Sequence, residues 1–273
     1  MQNEISSKMI KYSGANGKEI DAFIAEPKGV KQAPAIIVIH EIWGLDNHIK
    51  DVAERFAREG YVALAPHLFS SGAVPPEMTP ENIKATMKFF MSIPPEKQRD
   101  TEYAKQKLAE IKDEPTRSAV STLMPKIFNL PRDKLTAELE KAVEYLGTLG
   151  EVKKGDIGSV GFCFGGGMSA LLACTGRTKA SIIFYGESPP SEAVKGIKGA
   201  VMGLYGGKDR RINATLKDLV EAMAENEKDF QMKIFPGAPH AFFNDTNPVN
   251  YNESAAKESW PMALDFFRRK LSS

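Results

Sequence analysis

The residue best placed to do chemistry in this chain is a cysteine flanked by glycines. Gly161-Phe162-Cys163-Phe164-Gly165-Gly166-Gly167 follows the run Ile157-Gly158-Ser159-Val160 and leads into a helix-forming stretch, Met168 to Cys174. Strand, sharp turn and helix around Gly-x-nucleophile-x-Gly is the setting of a nucleophile elbow. Its glycines tolerate a turn in which larger side chains would clash. The unpaired N–H groups at the helix start favour an anion there, and the thiolate is the nucleophilic form of cysteine. The setting therefore predicts covalent catalysis at Cys163. The alternative is a small buried hydrophobe in a nucleotide-binding loop, but the spacing is not Gly-x-Gly-x-x-Gly and the motif lies past the middle of the chain. Cys174 has no such context and is expected in the core.

An elbow nucleophile needs a base and a carboxylate to orient it, in the chain order nucleophile, acid, histidine. Of the four histidines, His40, His48, His67 and His240, only His240 lies downstream. It sits in Pro236-Gly237-Ala238-Pro239-His240-Ala241-Phe242, after the apolar stretch Lys233-Ile234-Phe235. The carboxylates in between are Glu187, Glu192, Asp209 and several within Asp218 to Asp229. Asp209 closes Leu204-Tyr205-Gly206-Gly207-Lys208-Asp209, the loop after an expected strand, and is the preferred partner; a turn-capping aspartate is the competing role. Two backbone N–H groups would form the oxyanion hole. One is that of Phe164; the other is that of Ile42, in the early loop His40-Glu41-Ile42-Trp43-Gly44-Leu45. Glu41 ends an apolar strand beside that hole, either as a solvated loop residue or as the partner of the resting thiol.

These residues need a scaffold that brings distant loops to one edge, and the hydrophobic pattern supplies it. Short β-branched runs alternate with amphipathic stretches. A hairpin is expected from Met9 to Ile24, and Ile36-Ile37-Val38-Ile39 is apolar on both faces. A helix follows from about His48 to Glu59, then the strand Val62 to Ala65. Later strands are expected at Ile157 to Gly161, Ala180 to Tyr185, Ala200 to Tyr205 and Phe230 to Phe235, with a last helix from about Glu253 to Leu271. This predicts an α/β fold, a mostly parallel central sheet with helices on both faces. From 70 to 130 the rhythm breaks. Helical patches around Thr79-Pro80-Glu81, Glu96 to Asp113 and Thr116 to Phe128 are punctuated by Pro94, Pro95, Pro115 and Pro131. We read 1–273 as one domain with an inserted helical cap or lid at 70–130; a surface ornament is the alternative. Met78, Met87, Met91 and Met124 would give the cap an adaptable apolar underside, ordinary core methionines being the alternative.

Composition narrows the function classes. With 42% apolar and 26% charged residues, the chain is rich enough in core-formers to fold without staples. Its 36 Lys and Arg against 35 Asp and Glu leave no basic excess for nucleic acid. The run Ala33 to Ile39 is far below the ~20 residues of a membrane span. The opening Met1-Gln2-Asn3-Glu4 has no signal-peptide pattern, so a cytoplasmic protein with two free thiols is expected. No histidine stands at zinc-ligand spacing from a cysteine, so neither metal nor cofactor is expected. Nothing demands an assembly beyond a monomer or weak homodimer.

Four segments in order, His40-Glu41-Ile42-Trp43-Gly44, Gly161 to Gly166, Tyr205-Gly206-Gly207-Lys208-Asp209 and Pro239-His240-Ala241-Phe242, resemble the dienelactone hydrolase (carboxymethylenebutenolidase) family. The tail Tyr251 to Phe267 is similar too. The resemblance implies an α/β-hydrolase fold and a Cys163–Asp209–His240 triad hydrolysing a carboxylic ester or lactone through an acyl-enzyme. It also implies that Glu41 partners the resting thiol and helps activate it. The family's founding members hold a substrate carboxylate with two arginines, where this chain has Leu68-Phe69-Ser70-Ser71 and Asn244. A guanidinium fork is not replaced by Ser or Asn, so a less polar ester or lactone is expected, in a pocket involving Trp43, Phe69, Ser71, Phe242 and Asn244. Arg210 and Arg211 are a further anion contact or simply solvated. Two other readings stay open: a non-catalytic small-molecule sensor, and a thioesterase or peptidase on the same fold.

Overall fold

Alternate residues of a strand face opposite sides of its sheet, and the third strand shows why its sequence is apolar throughout. In the computed structural model, which describes residues 3–94, 97, 100–127 and 129–271, Ile36 and Val38 of β3 (Ala33–Ile39) enter one hydrophobic cluster, Ile37 and Ile39 another. Both faces are covered, as parallel strands require. The other strands are β1 (Ile5–Ser13), β2 (Glu19–Pro27), β4 (Val62–Pro66), β5 (Val152–Phe162), β6 (Ala180–Phe184), β7 (Ala200–Gly206) and β8 (Phe230–Phe235). They form one sheet in the order β1-β2-β4-β3-β5-β6-β7-β8. The β1–β2 and β2–β4 pairs are antiparallel, and the remaining pairs are parallel.

Helices α1 (Asn47–Arg58) and α9 (Glu253–Leu271) cover one face. Phe56 meets Trp260 and Phe267 there, at ring centroids 4.7 and 5.8 Å apart. Full burial of such a side chain contributes about 1.5–3 kcal/mol. Asp46 starts α1 by accepting the Ile49 N–H at 3.0 Å. On the other face lie α5 (Arg132–Thr148) and α6 (Phe164–Cys174), with Leu135, Leu139 and Leu172 against Ile37 and Ile39. The short α7 (Arg210–Asn213) and α8 (Leu216–Glu225) close that side near β7. A buried run of hydroxyls pins α6 to the sheet: Ser159 Oγ lies 2.8 Å from Ser169 Oγ and 3.0 Å from Ser181 Oγ, which meets Thr178 Oγ1 at 2.8 Å.

Among the described residues, 70–130 carries no strand and three helices, α2 (Pro80–Ser92), α3 (Thr101–Ala109) and α4 (Glu114–Leu123), each begun by a side-chain cap, Thr79, Asp100 and Asp113. Phe128, Pro95 and Glu96 of the expected patches, and Met1 and Gln2, lie outside the described residues. Met78, Ile83, Leu123 and Ile127 join the same cluster as Ile42 of the loop after β3, with half-buried Trp43, Phe164 and Met87 packed against it. Phe89, Ile93 and Val120 form a small separate core with Met124 at its edge. Met91 departs from the expected underside: it is 67% exposed, on the outer face of α2. No helix among the described residues is long and apolar enough to cross a membrane.

Candidate active site

Cys163 sits between β5 and α6 with φ 55° and ψ −115°, a backbone region side chains rarely adopt. Its N–H donates to Phe184 O at 3.0 Å, and its carbonyl accepts from Gly166 and Gly167 at 3.0 and 3.2 Å. A Cβ on Gly165 would stand 2.2 Å from Ile39 O and 2.5 Å from His40 O. Only glycine lets the first turn of α6 press against the end of β3, and that contact sets the elbow beside the 40–44 loop. Phe164 N–H, the first of the helix, has no intrahelical acceptor. The turn Glu41–Gly44 is closed by Gly44 N–H to Glu41 O at 3.2 Å, which leaves Ile42 N–H at a central turn position where no turn bond claims it.

His40 is a strut that the motif reading passed over. Its Nδ1–H donates to Glu41 O at 2.6 Å, and its Nε2 accepts Leu68 N–H at 3.2 Å, tying the loop after β3 to the turn after β4. Burial holds the ring neutral, pushing its pKa down to about 3.

Asp209 and His240 come together because the loops after β7 and β8 are bracketed. Gly207 N–H donates to Phe235 O at 2.8 Å and Lys208 N–H to Ala238 O at 2.9 Å. A Cβ on Gly206 would stand 2.5 Å from Pro239 O. Asp209 makes two contacts: Oδ1 accepts Ile212 N–H at 3.3 Å, capping α7, and Oδ2 lies 2.5 Å from His240 Nδ1. The imidazole also hydrogen-bonds the thiol of Cys163. Burial pulls the His240 pKa down, but the sulfur and then the Asp209 carboxylate outweigh it and raise it to about 10. Glu187, the rival acid, is instead paired with Arg132 and Arg211.

Glu41 is a buried carboxyl, 2% exposed, not a solvated loop residue. Burial raises its pKa to about 7, against the lowering effect of Asn244, whose Nδ2 donates to Oε2 at 2.7 Å. Asn244 is buried in turn, and its Oδ1 accepts from Thr246 N–H and Oγ1 at 3.0 and 2.7 Å. Tyr185, expected only as the end of a strand, is fully buried at the end of β6 with φ 40° and its ring 5.2 Å from that of His240.

The other expected pocket residues divide. Phe69 packs edge-on against His40 at 4.7 Å and lies 5.8 Å from Phe164, with Trp43 half-buried nearby in the same cluster. Ser71 is fully buried and its Oγ accepts Ala73 N–H at 3.2 Å; Phe242 is fully buried against Phe235 and Tyr185, at 5.0 and 5.3 Å. Neither has a surface to offer a substrate. A cleft of about 820 Å³ lies elsewhere, lined by Arg132, Leu171, Cys174, Ser188, Thr215 and Asp218 but by none of Cys163, Asp209 and His240. Cys174 is partly buried: it packs against the cluster of Ala170, Ala173 and Ile183 while also lining this cleft, and burial of its thiol pushes its pKa up to about 11. Among the described residues, no group of three or more His, Cys, Asp or Glu side chains is arranged to hold a metal ion.

The chain is similar to known proteins along nearly its whole length. The sequence profile of the "Dienelactone hydrolase family" matches residues 20–271. A provisionally named carboxymethylenebutenolidase of Saccharolobus solfataricus is 40% identical over 259 residues, covering 94% of this chain and 97% of that protein. One from Synechocystis, also provisionally named, is 32% identical over 266 residues, 93% of each chain. Among solved structures, a provisionally named dienelactone hydrolase from Klebsiella pneumoniae superposes with a TM-score of 0.75 at 25% identity, covering 98% of this chain and 100% of that one. The sheet and its helices have the α/β-hydrolase fold.

Proposed function

Because the chain belongs to the dienelactone hydrolase family, we propose that it hydrolyses a carboxylic ester or lactone with Cys163 as nucleophile, His240 as base and Asp209 as its orienting carboxylate. The observation that carries this is the chain of contacts from Asp209 Oδ2 to His240 Nδ1 and from the imidazole to the thiol, on a backbone held at φ 55°. Asp209 accepts Nδ1–H, so Nε2 is free to take the thiol proton. The resulting thiolate attacks the carbonyl carbon, and Ile42 and Phe164 N–H stabilise the oxyanion, each worth roughly 3–4 kcal/mol by analogy with other oxyanion holes. Collapse expels the alkoxide, which leaves with the imidazolium proton, and water then hydrolyses the thioester. In this structure the thiol is bonded to His240; Glu41 becomes its partner in a resting form in which the sulfur turns away from the imidazole. Residues 70–130 act as a cap, and the aromatic surface of Trp43, Phe69 and Phe164 favours an uncharged, apolar acyl group over an anionic one.

The test is turnover of an aryl acetate by wild type and Cys163→Ala. Loss of turnover with an unchanged melting curve supports the reading, and undiminished turnover in the variant rejects it.

A further inference from the structure

Connections between parallel strands usually carry an α-helix, and one in this sheet does not. From β6 to β7 the chain makes, among the described residues, only a 3₁₀ turn, Ser191–Gly196. The outer side of α6 is left open there, and the cleft of about 820 Å³ runs between α5, α6 and the start of α8. That volume suits a small molecule. Its walls call for an apolar one. Leu171, Pro189, Ala193 and the Cys174 thiol supply carbon and sulfur surface. The hydroxyls among them are already engaged. Thr136 Oγ1 donates to Arg132 O at 2.7 Å, Thr175 Oγ1 to Leu172 O at 2.8 Å, and Thr215 Oγ1 to Ile212 O at 2.9 Å. Ser188 Oγ lies 2.8 Å from Thr215 Oγ1. Arg132 is paired with Glu187, and the two acids in the lining, Asp133 and Asp218, oppose an anion.

The cleft adjoins the catalytic loops. Tyr185, with its ring 5.2 Å from that of His240, leads through Gly186 and Glu187 to Ser188 in the cleft wall. Gly186 carries this loop across the first turn of α6, where a Cβ on it would stand 2.3 Å from Gly166 C. Glu187 joins Arg132 of the cleft to Arg211 of α7, the helix that Asp209 caps. Arg132 also reaches Gly167, one helical turn past Cys163, where a Cβ would lie 3.2 Å from its Nη1. The side of the sulfur matters as well. The oxyanion-hole loop follows β3, on one side of β5, whereas β6, β7 and the imidazole that follows β8 lie on the other. An ester's alcohol half leaves with the imidazolium proton, so it must lie on that second side. We propose that this cleft is the subsite for the alcohol half of the substrate and takes an uncharged alkyl chain. This rests on the ester-hydrolase reading given above, in which the acyl half faces Trp43, Phe69 and Phe164 on the opposite side.

The experiment is hydrolysis of straight-chain alkyl acetates, ethyl through octyl, by the full chain, followed as acid release. Each CH₂ that leaves water should raise kcat/KM about two- to fourfold until the cleft is full. Ala193→Trp fills the cleft from its 3₁₀ wall and should cut the octyl-to-ethyl ratio of kcat/KM about tenfold or more. Ser191→Trp, at an exposed position on the same wall, repeats the test if the first variant does not fold. A matched series varied in the acyl chain, ethyl acetate through ethyl octanoate, should keep its ratio in both variants. A flat alcohol series in wild type, an unchanged alcohol ratio in the folded variants, or an equal fall in the acyl series would each overturn the proposal. Cleavage of an aryl acetate beside a flat alkyl series would overturn it alone. A wild type that cleaves no ester at all would remove the ester-hydrolase reading, and the proposal with it.

Discussion

Replacing Glu41 by glutamine should make the protein more stable, and increasingly so as pH rises. The side chain is 2% exposed and its pKa stands at about 7 in the fold against 4.5 in an open chain. Between those values the folded protein keeps a proton that the unfolded chain has shed. The stability this group supplies is therefore complete below pH 4.5 and is lost as pH climbs through 7. At 1.36 kcal/mol per unit, the gap amounts to about 3 kcal/mol above neutrality. Glu41→Gln removes the buried charge while its amide oxygen still accepts the Asn244 Nδ2 that now bonds Glu41 at 2.7 Å. Urea unfolding of both proteins at pH 5 and pH 8.5 measures the difference. The midpoint gap should be small at pH 5 and reach about 1 M at pH 8.5 with unchanged slopes. A gap independent of pH, or one that widens on acidification, would show that the carboxyl is not held in its neutral form by burial.

Three further outcomes follow from the same geometry. Asp209→Asn should lower kcat by roughly 10³–10⁴ by spoiling the imidazole tautomer, with little change in KM, read in steady-state ester hydrolysis. Gly165→Ala places a methyl 2.2 Å from Ile39 O; it should destabilise the fold by roughly 1–3 kcal/mol and depress the acylation rate, visible together in urea midpoints and burst kinetics. Ser159→Ala leaves the Ser169 and Ser181 hydroxyls one partner short; a loss of about 1–2 kcal/mol in stability with kcat nearly unchanged is expected, and an equal loss of activity would mean that the network sets the elbow itself.

What was legible in the sequence is what local rules govern. The elbow announced itself because a turn of that strain needs glycines at fixed spacing, and the structure sets Cys163 at φ 55°. Asp209 and His240 were found by chain order, and their contact is geometric fact. The last helix keeps its expected bounds, Glu253–Leu271, because Asn252 caps it and the apolar stripe runs unbroken. Tyr185 was not legible. Its orientation follows from packing against His240 and Phe242, more than fifty residues on, though an aromatic residue ending a strand two steps along the sheet from β3 was a usable hint. The Asn244–Glu41 bond spans 203 positions, and the substitution of Asn for an expected arginine gave no sign that the side chain turns inward. Met91 failed for a simpler reason: apolar type does not fix which face of a helix meets the core.

The pairing of β5 directly with β3, Ala35 opposite Ile157, has a bearing on how the molecule is made. The sulfur and the Ile42 amide arrive from stretches of chain divided by the entire helical insertion, so a nascent fragment that stops before β5 (Val152–Phe162) holds the amide but neither the sulfur nor the strand that pairs with β3. Loop closure over such a span is slow compared with winding a helix. Regained ester cleavage after dilution from denaturant should therefore lag behind recovered helical circular dichroism, serving as a clock for the joining of the two central strands.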